Sequence, residues 1–100
     1  MIVIGQTQAV NTPAIISTAT ALSANANRMG FEIQNVGTNP LYVLLGTGAS
    51  TTVYHKILKV ATSATSGDGG VYSMLNGTVY TGIVTVAGTS PSYVVTELGN

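Results

Sequence analysis

A chain of 100 residues with no cysteine, a formal net charge of zero and only 6% charged residues reads as one domain held together by packing alone. Soluble domains ordinarily carry about 25% charge. Here Thr, Ser, Asn and Gly take that place while hydrophobic residues stay at 45%, which excludes a disordered tail, a thiolate metal site and the basic footprint of a nucleic-acid binder.

Residues 1–13 open with a short β-like run, Ile2, Val3 and Ile4, followed by polar residues and Pro13, and read as an arm or edge strand. That run is too short for the core of a signal peptide and no cation precedes it. No apolar run in the chain approaches the length of a membrane-spanning helix, so synthesis in the cytoplasm is expected. Residues 14–100 read as a single β domain. The β-branched Ile15, Ile16, Thr18 and Thr20 predict a strand over 14–20, and 23–27 a polar loop.

Residues 28–45 organise the domain. Met29, Phe31 and Ile33 alternate with Gly30, Glu32 and Gln34, the period of a strand with one buried face. Turn formers fill 35–40, and 41–45 runs apolar as a strand covered on both sides does. The two strands are expected to form a β-hairpin near the middle of a sheet. Residues 46–51 predict a flexible turn, and 52–60 a strand anchored by Val53, Tyr54, Ile57 and Leu58. Lys56 and Lys59 fall on opposite sides of that strand, the mark of an edge or a bulge. Residues 61–70, small and polar and ending in Gly67-Asp68-Gly69-Gly70, are the candidate exposed contact loop. A strand over 71–75, a type I′ hairpin turn at Asn76-Gly77, a strand over 78–87 interrupted at Gly82, a turn at 88–91 and a last strand over 92–98 complete the pattern. The expected fold is all-β, an antiparallel β-sandwich or small barrel of jelly-roll or Greek-key kind, with about six to eight strands.

Chemistry is sparse. The acids are Glu32, Asp68 and Glu97. A Glu32/Glu97 glycosidase pair requires both carboxylates at one bond; each is expected instead to be a solvated, outward residue of an alternating strand. His55 is the single histidine and without cysteine makes no ordinary zinc site. A Ser-His-Asp triad would have to use His55 and Asp68, and no Gly-x-Ser-x-Gly elbow exists. Gly46-Thr47-Gly48-Ala49-Ser50 and the Gly67–Gly70 run lack the helix start that phosphate cradling needs. Asp68 alone is too few carboxylates for a calcium site. No cofactor and no enzymatic activity are expected. The five tyrosines suit either the rim of a β core or an interface. Among them, Tyr54 and Tyr72, with Ile2, Val3, Ile4, His55 and Asp68, are the candidate interface residues. A sugar platform built of tyrosine and asparagine is the competing use.

Residues 30–43, carrying Ile33-Gln34-Asn35, Gly37 and Asn39-Pro40-Leu41-Tyr42-Val43, resemble small virion structural proteins of tailed bacteriophages. Residues 80–98 extend the resemblance through Tyr80, Gly82, Val84, Val86-Ala87-Gly88, Ser90 and Val94-Val95-Thr96-Glu97-Leu98. It spans roughly 28–98 and leaves out the amino-terminal segment. The resemblance implies a non-enzymatic structural protein on a β-sandwich, of the head decoration (cement) type, located in the virion. It brings no catalytic residues. The major capsid protein or another virion protein is the implied partner, and no nucleic acid or membrane is. A nearly uncharged surface is itself prone to self-association, so a homo-oligomer, a trimer by preference, is expected. The alternative function is a carbohydrate-binding module or a fibre or tail-tip adhesion domain.

Overall fold

The computed structural model describes residues 18–75 and 79–99. Ile2, Val3 and Ile4, most of the strand expected over 14–20, and the Asn76-Gly77 turn lie outside the described residues. Seven strands and no helix occur among those described: β1 Ala19–Leu22, β2 Arg28–Asn35, β3 Leu41–Leu45, β4 Lys56–Leu58, β5 Val71–Leu75, β6 Val84–Ala87 and β7 Tyr93–Gly99. All pairings between these strands are antiparallel. Sheet A has the order β5-β2-β7 and sheet B the order β1-β6-β3-β4. The two pack as a sandwich, as the alternation of apolar residues predicts.

The core is the pair of inner faces. Phe31 and Ile33 of β2 and Tyr93 and Val95 of β7 meet Leu22, Leu41, Val43, Leu58, Val84 and Val86 from sheet B. Strand β7 shows the period of two most clearly, with Tyr93, Val95, Glu97 and Gly99 buried and the residues between them half-buried. Strand β6 is buried on both faces because residues 46–49 fold back over its outer side. The Thr85 hydroxyl donates to the Gly46 carbonyl at 2.7 Å and accepts the Ala49 amide at 3.2 Å. The positive φ of Gly48, 87°, suits a glycine within that strap.

The expected hairpin between β2 and β3 is not formed. β2 pairs with β5 and β7, whereas β3 pairs with β4 and β6 in the other sheet. Residues 36–40 are therefore an arch from one sheet to the other. Every connection except β3 to β4 crosses in this way. The physical reason is the Asn35 side chain, fully buried at the end of β2. Its Nδ2 donates to the carbonyls of Asn39 (2.9 Å), Leu58 (3.1 Å) and Lys59 (3.1 Å), and its Oδ1 accepts the Gly37 amide at 2.8 Å. One amide group thus ties the arch to the end of β4.

Two further expectations need correction. The strand over 52–60 shrinks to Lys56–Leu58, and of its four anchors only Leu58 is buried. Residues 50–53 instead close a turn in which Ser50 N–H donates to the Val53 carbonyl at 2.9 Å. Of the strand expected over 78–87, the described residues from 79 onward are strand only over Val84–Ala87, which joins a different sheet from β5, so these two strands do not pair. Gly82 lies outside the ladder, and its carbonyl accepts from Arg28 Nη1 at 2.9 Å.

The loop over 61–70 is tied to the arch. Asn35 N–H donates to the Gly70 carbonyl, Gly70 N–H to the Lys59 carbonyl and Ala61 N–H to the Gly37 carbonyl, at 2.8–3.0 Å. Gly69 is buried beneath this crossing, and a Cβ added there would fall inside the van der Waals envelope of the Asn35 carbonyl. Gly69→Ala is therefore expected to lower stability by about 2 kcal/mol, the scale of an overpacked site that must move backbone. Urea unfolding with an unchanged m value measures it; a midpoint equal to wild type would refute the close approach.

At the opposite end of β2 the ladder to β7 slips by a residue between Arg28 and Gly30. This bulge sits where the Arg28 side chain is wholly buried. Arg28 Nε donates to Glu97 Oε2 at 2.8 Å, Nη1 to the carbonyls of Tyr80 and Gly82, and Nη2 to the Ser23 carbonyl at 2.6 Å. The guanidinium also lies 5.8 Å from the Phe31 ring centroid. Glu97 is thus not the solvated outward residue expected of it. It is buried, and it forms the one ion pair found among the described residues.

Candidate interaction surface

The acids do not converge. Glu32 is exposed on the outer face of sheet A, in register with Ser73 and Thr96, while Glu97 points inward from the residue beside Thr96. The two carboxylates therefore lie on opposite faces of one sheet and make no glycosidase pair. Among the described residues no group of three or more His, Asp or Glu side chains could hold a metal ion.

His55 is exposed and fixes the start of β4. Its backbone N–H donates to the Val43 carbonyl at 2.8 Å, and its Nδ1 accepts the Leu45 amide at 3.0 Å. Tyr72 is half-buried and faces the core, its ring edge-on to Phe31 with centroids 5.9 Å apart. Asp68 is exposed but internally engaged. Its carboxylate accepts the side-chain hydroxyls of Ser66 and Thr62, and the Thr62 amide at 2.8 Å. Those bonds, the Ser66 hydroxyl first, hold its carboxyl well below the usual range.

A depressed carboxyl pKa stabilises the folded loop in full while the unfolded chain's carboxyl is ionised, and progressively less as the pH falls from the unfolded toward the folded value. The contribution is complete above the unfolded value of about 3.9 and declines as the pH falls below it. The difference in melting temperature between wild type and Asp68→Asn is therefore expected to be constant from neutral pH to about pH 5 and to shrink on further acidification. Circular dichroism melts across that range measure it, and a pH-independent difference would contradict the carboxylate's role.

What remains is a surface of large apolar side chains. Val53 (52% exposed), Ile57 (46%), Val60 (43%) and Tyr54 (40%) cluster on and around β4, the edge strand of sheet B. Ile57 stands opposite Tyr42 in the β3–β4 register, and the Tyr54 ring meets the Tyr42 ring at 5.2 Å and 61°. Of these, Val53, Tyr54 and Ile57 were expected to anchor the strand over 52–60, and Tyr54 was also a candidate interface residue. They are exposed because only three residues of the segment pair as strand, which leaves Leu58 alone facing inward. Lys56 and Lys59, both exposed, accompany them, and no carboxylate of the described residues pairs with either.

The outer face of sheet A is mixed, with exposed Val71 among polar side chains. It carries Glu32 and Gln34 on β2, Val94, Thr96 and Leu98 on β7, and Val71 and Ser73 on β5. Gln34 Nε2 donates to the Gly67 carbonyl at 3.0 Å, drawing the 61–70 loop toward this face. Arg28 and Asn35, which the sequence reading gave no role, and Glu97, which it placed in solvent, are structural rather than superficial; for Asn35 and Glu97 a signal existed. That signal is the alternation itself, since Asn35 shares a face with Phe31 and Ile33, and Glu97 with Tyr93 and Val95, whereas Arg28 is turned inward by the bulge that no alternation predicts. No helix among the described residues is long and apolar enough to cross a membrane. No protein-family model, curated protein or solved structure matches the chain.

Proposed function

We propose that this chain is a non-enzymatic structural protein of a bacteriophage virion, a head decoration protein that binds and stabilises the capsid lattice. The observation that carries the reading is the exposed apolar cluster of Val53, Tyr54, Ile57 and Val60 on a sandwich of very low charge. Large apolar patches on a small domain mark contact with another protein. A partner that covers them explains how so uncharged a chain remains in use without precipitating. The resemblance over 30–43 and 80–98 supplies the class of partner. Its two stretches coincide with the β2–β3 arch and with the β6–β7 connection, the parts on which the sandwich depends.

The major capsid protein is the proposed partner, and a homo-oligomer, a trimer by preference, the proposed state on the lattice. Purified virions of the phage that carries the gene are expected to contain the chain in a fixed ratio to the major capsid protein, on the head by immunogold labelling. Its absence from intact particles, or its presence at the tail tip alone, would overturn the reading. The Tyr42–Tyr54 pair favours one rival, a sugar platform. Reproducible binding to a defined glycan on an array, lost in Tyr54→Ala, would establish that rival instead.

A further inference from the structure

The ladder between β3 and β4 ends early, at the pair Val43 and Lys56. Beyond that pair the Val43 carbonyl still accepts the His55 amide at 2.8 Å. Two residues further along β3, the Leu45 amide points to the same edge, because the hydrogen-bonding groups of a strand alternate as its side chains do. A carbonyl of the 50–54 segment would be its partner if the ladder went on. The partner is instead the His55 ring, whose Nδ1 accepts the Leu45 amide at 3.0 Å. The side chain stands in for the missing carbonyl, and the backbone is free to turn outward. Residues 50–53 then close on themselves. Ser50 N–H donates to the Val53 carbonyl at 2.9 Å, and Ser50 Oγ accepts the amides of Thr52 and Val53 at 3.2 Å and 2.9 Å. Among the described residues, the hydrogen bonds that tie residues 50–55 to β3 are the two made by His55.

We propose that His55 is the positioning residue of the docking surface: its neutral imidazole clips the 50–55 turn, and with it Val53 and Tyr54, to the edge of β3, and protonation opens the clip. A neutral imidazole has one acceptor nitrogen, whereas an imidazolium has two N–H donors and no acceptor. With Nδ1 accepting, the ring proton is on Nε2. A second proton at Nδ1 sets N–H against the Leu45 N–H, and the bond is lost. The ring is exposed, so that proton comes directly from solvent. The titratable or charged side chains around it are Tyr54 and Lys56 on its own segment and Tyr42 on β3, while β6, the next strand of the sheet, has none. No carboxylate of the described residues pairs with the ring to hold an imidazolium in place. Of these side-chain types, imidazole is the one that changes charge between neutral pH and about pH 5. The Ser50 bonds use hydroxyl and backbone groups alone, so the turn survives acid while its attachment does not. Val53 and Tyr54 then leave their fixed places beside Ile57, and the apolar patch offered to the capsid partner is halved. That last step rests on the decoration reading; the clip does not.

Nuclear magnetic resonance on the purified chain tests the clip. At neutral pH the His55 ring is expected as the Nε2–H tautomer, with the Leu45 amide protected from hydrogen exchange. On acidification to about pH 5 that protection, corrected for the intrinsic exchange rate, is expected to fall by about two- to tenfold, the worth of one hydrogen bond. His55→Asn supplies an Oδ1 acceptor that does not titrate and is expected to keep the protection at both pH values. His55→Ala is expected to lack it at both. An Nδ1–H tautomer, a wild-type protection indifferent to pH, or a His55→Asn chain that loses protection in acid as wild type does would each overturn the proposal. Titration onto heads assembled without the chain supplies the docking arm. Wild type is expected to bind about tenfold more weakly at about pH 5 than at neutral pH, and His55→Asn to bind equally at both. Equal wild-type binding at both pH values, with the clip seen to open, would overturn the docking role. Heads left bare by every variant at every pH would overturn the decoration reading itself, while the resonance results still decide the clip.

Discussion

Arg28→Met is expected to destabilise the domain by about 3–5 kcal/mol, because it strands the buried Glu97 carboxylate without its counter-charge. The same change removes the donors that hold the carbonyls of Ser23, Tyr80 and Gly82. Domains of this size are stable by about 5–15 kcal/mol in all, so the loss brings the chain near its unfolding threshold. Equilibrium urea unfolding measures it. Glu97→Gln keeps an acceptor for Arg28 Nε and is expected to cost less. Removing both partners as Arg28→Met with Glu97→Leu is expected to recover part of the Arg28→Met loss, since no uncompensated charge stays buried. A double mutant as unstable as the sum of the singles would show that the ion pair contributes nothing as a pair.

Asn35→Ala is the second large effect, expected to cost about 3 kcal/mol as the Gly37 amide and the Asn39, Leu58 and Lys59 carbonyls lose their partner inside the sandwich. Asn35→Asp is the sharper probe. It keeps the acceptor for Gly37 but turns a donor into a carboxylate facing three carbonyls. Its folded-state pKa is therefore raised, and its stability relative to wild type is lost as the pH rises through that value and regained toward the unfolded value of about 3.9. Urea midpoints that rise for Asn35→Asp relative to wild type on acidification from pH 7 test this arrangement. A deficit equal at every pH would contradict it.

These two residues show where the sequence was legible and where it was not. The β class and the core face of β2 follow from alternation, because burial on one face imposes a period of two; the strand over 41–45 follows from its apolar run, and those expected over 71–75 and 92–98 from the turn formers beside them. Sheet membership follows from none of these. A run of turn formers such as 36–40 ends a strand equally well in a hairpin or in an arch. The choice is made by side chains that meet only in the folded state, here the Asn35 amide against the ends of β3 and β4. Arg28 and Glu97 lie 69 positions apart, beyond any local pattern, although Glu97 falls on the Tyr93 and Val95 face. Alternation pointed inward there, and the general rule that carboxylates are solvated pointed outward. In a chain this poor in charge, alternation was the better guide. The 52–60 segment erred in the other direction. Its apolar residues resemble a buried strand because both a core and a contact surface are built from Val, Ile and Tyr.

That last ambiguity is the centre of the functional account, which holds that these apolar residues are exposed in the free domain in order to be covered on a capsid. Titrating the purified chain onto heads assembled without it is the most direct test, at low and at moderate salt. The account predicts saturable decoration at a fixed ratio to the major capsid protein, lost in Ile57→Asp and changed little by salt, because few charges are present to be screened. No binding, or binding abolished by moderate salt and indifferent to Ile57→Asp, would contradict it.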